Sequence, residues 1–288
     1  MNKTLFSEYK PKNKWLVCID SDGCAFDTME IKHKECFCPS TIHKWGLQPI
    51  SKYAREAWEY GNLYSKDRGR TRFHEILILF DLLVERKEVQ DYGFVLPDIE
   101  PLRQWIKTSP ALNNADLAKH DNPVLAQTLD WSLDCNRRIA EMVYGIPPFP
   151  GVRESLQKLA EVADIAIVSA TARESLEHEW NEHGLMDYIS QLCAQEDGSK
   201  SDCISALAVH YAPGNVLMIG DAPGDMEAAQ KSGVLFYPII PGNEIASWHE
   251  FVENGADKFL SGNFAGDYEA ALLQAFDESL PDVPPWKK

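Results

Sequence analysis

No apolar run in the 288 residues approaches the ~20 needed to cross a bilayer, and the N-terminal MNKTLFSEYKPKNK lacks the apolar core of a secretion signal. No membrane span is expected, and the cytoplasm is the expected location. Basic charge is scarce: 28 Lys and Arg stand against 44 Asp and Glu, a net charge of -16, so nucleic acid and anionic membranes would be repelled by most of the surface. The seven cysteines form no even, regularly spaced framework, and the one close pair, CFCP at Cys36 and Cys38, has no second pair at zinc-ligand spacing. Free thiols in a reduced compartment are therefore expected. The eight histidines include no H-x-x-x-H helix pair, which removes the usual basis of a histidine metal site. Internal repeats and low-complexity tracts are absent as well.

The apolar fraction is ample for a core, at 44% of residues. Four short runs, WLVCID, DIAIVSA, NVLMIGD and GVLFYPI, are nearly continuous in apolar residues, the pattern of strands buried on both faces of a parallel sheet. Helical patterns lie between them: GVRESLQKLAEV, ARESLEHEWNEHG ending at Gly184, and GDMEAAQKSG ending at Gly233. Strands alternating with such helices predict an α/β doubly wound domain. The rhythm fails between Thr28 and Pro148, where the strongest patterns, TRFHEILILFDLLVERKEV and PVLAQTLDWSLDCNRRIAEMV, are helical, and it resumes after the proline-glycine punctuation GIPPFPG. The expected organisation is a core of residues 1–27 and 149–288 with a mainly helical insertion, 28–148; the final LPDVPPWKK reads as a tail. Trp45, Trp58 and Trp131 are expected to pack the helices of the insertion.

Three of the strands end in polar residues, and the carboxyl ends of strands in an open parallel sheet form its ligand crevice. The first gives Asp20 and Asp22, the second Ser169 and Thr171, and the third Asp221, with Asp225 four residues on; Lys200 stands in the loop QEDGSKSD. Four carboxylates gathered at strand tips repel one another unless a divalent ion sits among them. An all-oxygen donor set with room for waters suits Mg²⁺. With the ion present one aspartate oxygen can attack an electrophile, and the phosphorus of a phosphate ester is the electrophile that most needs the metal, Lys200 and a hydroxyl such as Ser169.

These residues carry a resemblance. DSDGCAFDT resembles the first motif of the haloacid dehalogenase-like (HAD) hydrolase superfamily, IVSAT its second, Lys200 its third and MIGDAPGDM its fourth, and PPFPGVRESLQKL is similar to the family's return from cap to core. The resemblance implies a HAD-like, Rossmann-like core with a helical cap inserted after the first motif. It implies that Asp20 is the nucleophile and forms an aspartyl-phosphate. Asp22 would protonate the leaving alcohol, take the proton from the hydrolytic water and ligate Mg²⁺ through its backbone carbonyl. Asp221 would complete the protein ligands, and Asp225 would support the metal waters or Lys200. Ser169 would bind a phosphoryl oxygen while Lys200 neutralises charge shared by nucleophile and phosphate. An aspartate at position 22 favours ester or phosphoanhydride chemistry over the haloalkanoate and phosphonate branches, which lack one there. Ser21 is a small residue whose backbone is expected to face the phosphate.

The expected activity is a Mg²⁺-dependent phosphatase acting on a small phosphorylated metabolite, in a monomer or homodimer. The alternatives are a phosphomutase of the same fold and a non-catalytic binding or regulatory protein on the same core. Within the insertion, SKDRGRTRFHE places Lys66, Arg68, Arg70, Arg72 and His74 together. That cluster either binds a second anionic group of the substrate, with Arg70 and Arg72 as contacts, or is a solvated segment paired with neighbouring acids. A subunit interface, if there is one, would use the cap or the face around Trp248 to Phe251.

Overall fold

The computed structural model describes residues 6–287. Strands β1 (Trp15–Ile19), β2 (Ala163–Val168), β3 (Gln191–Cys193), β4 (Val216–Gly220) and β5 (Leu235–Pro238) form one parallel sheet in the order β3-β2-β1-β4-β5. The order reverses beside β1, which places a switch point at the end of the first strand. Helices Arg173–Glu182, Lys200–Ala208 and Pro223–Ser232 make the crossovers from β2 onward.

The alternation of β1 explains its unbroken apolarity. Trp15, Val17 and Ile19 enter one buried cluster, while Leu16 and Cys18 enter another on the opposite face. The fold is therefore the α/β parallel-sheet class read from the sequence. The three-residue β3 was not foreseen, because Gln-Leu-Cys is too short for either periodicity to register.

The chain divides into two compact units, residues 1–28 with 145–280, and residues 29–144 with 281–288. The second is helical, built around Ser51–Leu63, Arg72–Val84 and Pro123–Met142, and its core includes Trp45, Trp58 and Trp131. The helix expected to run from Thr71 through Val89 breaks after Val84 and restarts at Lys87. Between them Arg86 is extended and buried, its guanidinium stacked over Tyr53 and Trp286 at 4.7 and 4.4 Å.

One reading of the sequence needs correction. Residues 281–288, grouped with the core and read as a tail, belong to the helical unit. Trp286 packs edge-on against Tyr60, whose hydroxyl donates to the Pro281 carbonyl at 2.9 Å, and Lys287 pairs with Glu85 at 2.5 Å. In the stretch Trp248 to Phe251, Trp248 and Phe251 are fully buried in the first unit, while His249 is exposed. All seven cysteines are free and buried, and no helix among the described residues is long and apolar enough to cross a membrane.

Candidate active site

Register brings the polar strand ends together. Ile19 of β1 lies opposite Ile167 of β2 and Ile219 of β4, so Asp20, Ser169 and Asp221 follow within one or two residues at the same edge of the sheet. The Asp20 N–H continues the ladder to the Ile219 carbonyl at 3.0 Å. After Asp20 the chain makes a tight turn in which Gly23 has φ +78°, a left-handed conformation that favours glycine.

Asp20, Asp221 and Asp225 place one carboxylate oxygen each within 4.8 Å of one another, and all three side chains are buried. The Lys200 ammonium bridges Asp20 Oδ2 at 2.7 Å and Asp225 Oδ1 at 2.5 Å. Asp225 is held from its other side by the Ala222 N–H at 3.1 Å, at the start of the helix Pro223–Ser232. Close packing makes Gly220 obligatory, because a Cβ there would meet the Asp225 carboxylate at about 2.5 Å. Ser169 is buried at the end of β2, its N–H donating to the Cys193 carbonyl at 3.0 Å.

Burial pushes the Asp20 carboxyl up to about 8 against the pull of Lys200, with Asp225 and Asp221 adding to the rise. Burial works against the charge on Lys200, but Asp20 and Asp225 more than offset it and hold the ammonium protonated. Three carboxylates facing one ammonium leave an excess of negative charge in a buried, all-oxygen site. That donor set fits Mg²⁺.

The Asp22 carboxylate stands apart from that trio. Thr28 Oγ1 donates to its Oδ1, and Thr171 Oγ1 donates to its Oδ2 at 2.8 Å. Thr171 was visible in the sequence as a strand-end hydroxyl, whereas Thr28 carried no signal beyond standing next to the motif. Reading the sequence also missed Glu179, Trp180 and Trp248. Trp180 and Glu179 bond the Ser21 hydroxyl, and Trp248 Nε1–H donates to the Cys24 carbonyl at 2.8 Å.

The basic cluster lies in the helical unit. Arg70 is paired with Asp67 at 3.6 Å and keeps 54% of its side chain exposed. Arg72 is committed within its own unit, donating to Ser132 and to Asn136 Oδ1 at 2.6 Å while stacking over Phe37. Lys66 pairs with Asp282 at 3.3 Å, and Arg68 donates to the Leu63 carbonyl at 2.8 Å. His74 Nδ1 bonds the Thr71 hydroxyl at 2.8 Å.

Residues 111–239 match the family model of haloacid dehalogenase-like hydrolases, a span that includes Ser169, Lys200, Asp221 and Asp225 but not the first motif. No curated protein matches the chain. Among solved structures, one from Bacteroides fragilis described as a haloacid dehalogenase-like hydrolase is 16% identical, with a TM-score of 0.50 over 82% of this chain and 93% of that one. A haloacid dehalogenase-like family protein from Streptococcus pneumoniae is 14% identical, at 0.45 over 81% and 90%. A structure from Lactobacillus plantarum described as a phosphoglycolate phosphatase is 18% identical, at 0.42 over 82% and 91%. The family match thus runs through three of the four motifs, the first motif's aspartates lie on the same sheet edge, and the likeness to the Bacteroides fragilis structure is one of fold: residues 111–239 are similar to the haloacid dehalogenase-like hydrolases.

Proposed function

We propose that the protein is a Mg²⁺-dependent phosphatase that hydrolyses a small-metabolite phosphomonoester through a phosphorylated Asp20. The observation that carries the reading is the buried group Asp20, Asp221 and Asp225 with Lys200 bridging two of its members. An Asp20 oxygen forms the bond to phosphorus as the ester P–O bond breaks, and the departing alcohol takes the proton of Asp22. Asp22, now ionised, accepts a proton from water as that water attacks the phosphorus of the aspartyl-phosphate, releasing inorganic phosphate and restoring both carboxyls. Ser169 and Lys200 bind the phosphoryl oxygens and offset the charge that develops there. Asp20, Asp221 and Asp225, with the Asp22 carbonyl, would hold a magnesium ion that supplies positive charge to the phosphoryl group. In the helical unit Arg70, with its exposed guanidinium, is the better candidate of the two arginines for a second anionic group of the substrate.

The test is phosphate release from a panel of phosphorylated metabolites, with Mg²⁺ and with EDTA, for the wild type and Asp20→Asn. Release that needs the metal and is lost in Asp20→Asn is expected, with Asp221→Asn chiefly raising the metal concentration required. Undiminished turnover in Asp20→Asn would overturn the nucleophile assignment. Isomerised product without free phosphate would replace hydrolysis by a mutase reaction.

A further inference from the structure

Ser21 is fully buried between the two aspartates of the first motif, and every polar group it has is engaged. Its N–H donates to Asp20 Oδ1 at 2.8 Å. Its carbonyl accepts from the N–H groups of Cys24, Ala25 and Phe26 at 3.3, 2.9 and 3.1 Å, closing the turn that carries the nucleophile. Its hydroxyl donates to Glu179 Oε2 at 2.7 Å and accepts from Trp180 Nε1–H at 2.9 Å, both from the helix Arg173–Glu182 that follows β2. Trp180 is itself fully buried and packs edge-on against Phe26 at 5.5 Å, at the far end of the same turn. One residue thus touches the Asp20 carboxylate with its N–H, organises the turn with its carbonyl and is anchored through its side chain.

We infer that Ser21 is a positioning residue, and that the Trp180–Ser21–Glu179 hydrogen-bond chain makes the helix Arg173–Glu182 the reference that sets where the Asp20 carboxylate points. The inference rests on the reading of Asp20 as nucleophile. A hydroxyl is needed at position 21 because the site must both donate and accept, which neither alanine nor an aliphatic side chain can do. Removing it leaves the Trp180 N–H buried without its acceptor and frees the turn to shift by the tenths of an ångström to which an in-line attack is sensitive. Ser169 does not hang from this chain, and Lys200, though it touches Asp20, is also held by Asp225 at 2.5 Å, so the loss falls on turnover and not on binding.

The experiment measures kcat and KM for wild type, Ser21→Ala, Trp180→Phe and the double variant, on whichever ester the panel shows to be turned over, with thermal melting followed in parallel. Trp180→Phe keeps a ring against Phe26 while deleting the donor, so it serves if Ser21→Ala fails to fold. The expected result is a fall in kcat on the order of tenfold to a hundredfold in each single variant with KM unchanged. The double variant should be no slower than the slower single, because both substitutions remove one shared contact. Single variants within about twofold of wild type, a loss confined to KM, or losses that multiply in the double variant would overturn the inference while leaving the hydrolase reading intact. Absence of turnover by the wild type on every ester would remove the reading of Asp20 as nucleophile, and this inference with it.

Discussion

Asp22 keeps both carboxylate oxygens on hydroxyl donors, Thr28 at one and Thr171 at the other, and so has a fixed orientation. If that orientation serves proton transfer to the leaving alcohol, Thr171→Val should slow hydrolysis of an alkyl phosphate by about tenfold or more. With an aryl phosphate such as p-nitrophenyl phosphate, whose leaving group departs without a proton, the step that phosphorylates Asp20 should be nearly unaffected, any loss being confined to hydrolysis of the aspartyl-phosphate. Single-turnover rates of leaving-group release measured on both esters decide the matter, and equal losses in that step would count against proton transfer to the leaving alcohol. At this scale the aspartates were legible because each interrupts an apolar strand where a buried sheet should end in neutral turn residues. Their supports were not legible. Thr171 lies 149 residues from Asp22, and Glu179 lies 158 from Ser21, and neither residue type nor spacing on a helix encodes such a partner.

The elements were legible in proportion to their length and burial. β1, β2, β4 and β5 announce themselves as apolar runs because helices cover both faces of the sheet, whereas β3 contributes three residues at the sheet's edge and none of the expected rhythm. The break at Arg86 was hidden for a different reason: the residue is a good helix former, and its extended conformation accompanies stacking against Trp286, from the far end of the chain. That C-terminal segment carries its own prediction. Trp286 supplies a ring to Tyr60 and another to Arg86, contacts worth about 1–2 kcal/mol together. Trp286→Ala should therefore lower the melting temperature of the helical unit and raise amide hydrogen exchange along Ser51–Leu63 and around Arg86. Unchanged exchange there would mean that the segment adds nothing to the unit's stability.

The whole molecule carries a net charge of -16, yet it concentrates three of its acids in a buried site with one lysine, an arrangement that costs stability until positive charge is added. Such a cost is tolerated where carboxylates must gather for chemistry. The fold class and the gathering of the strand-end residues were readable because register in a parallel sheet follows from the strands alone. The C-terminal residues' place in the helical unit was not readable, since it depends on packing contacts between distant segments. The most direct measurement is to quench the wild-type enzyme with acid during turnover of its phosphate ester and map the modified peptide by mass spectrometry. A phosphoryl group on the peptide bearing Asp20, absent from Asp20→Asn, is the expected result; steady phosphate release with no phosphopeptide, or with the phosphoryl group on another residue, would contradict covalent catalysis by Asp20.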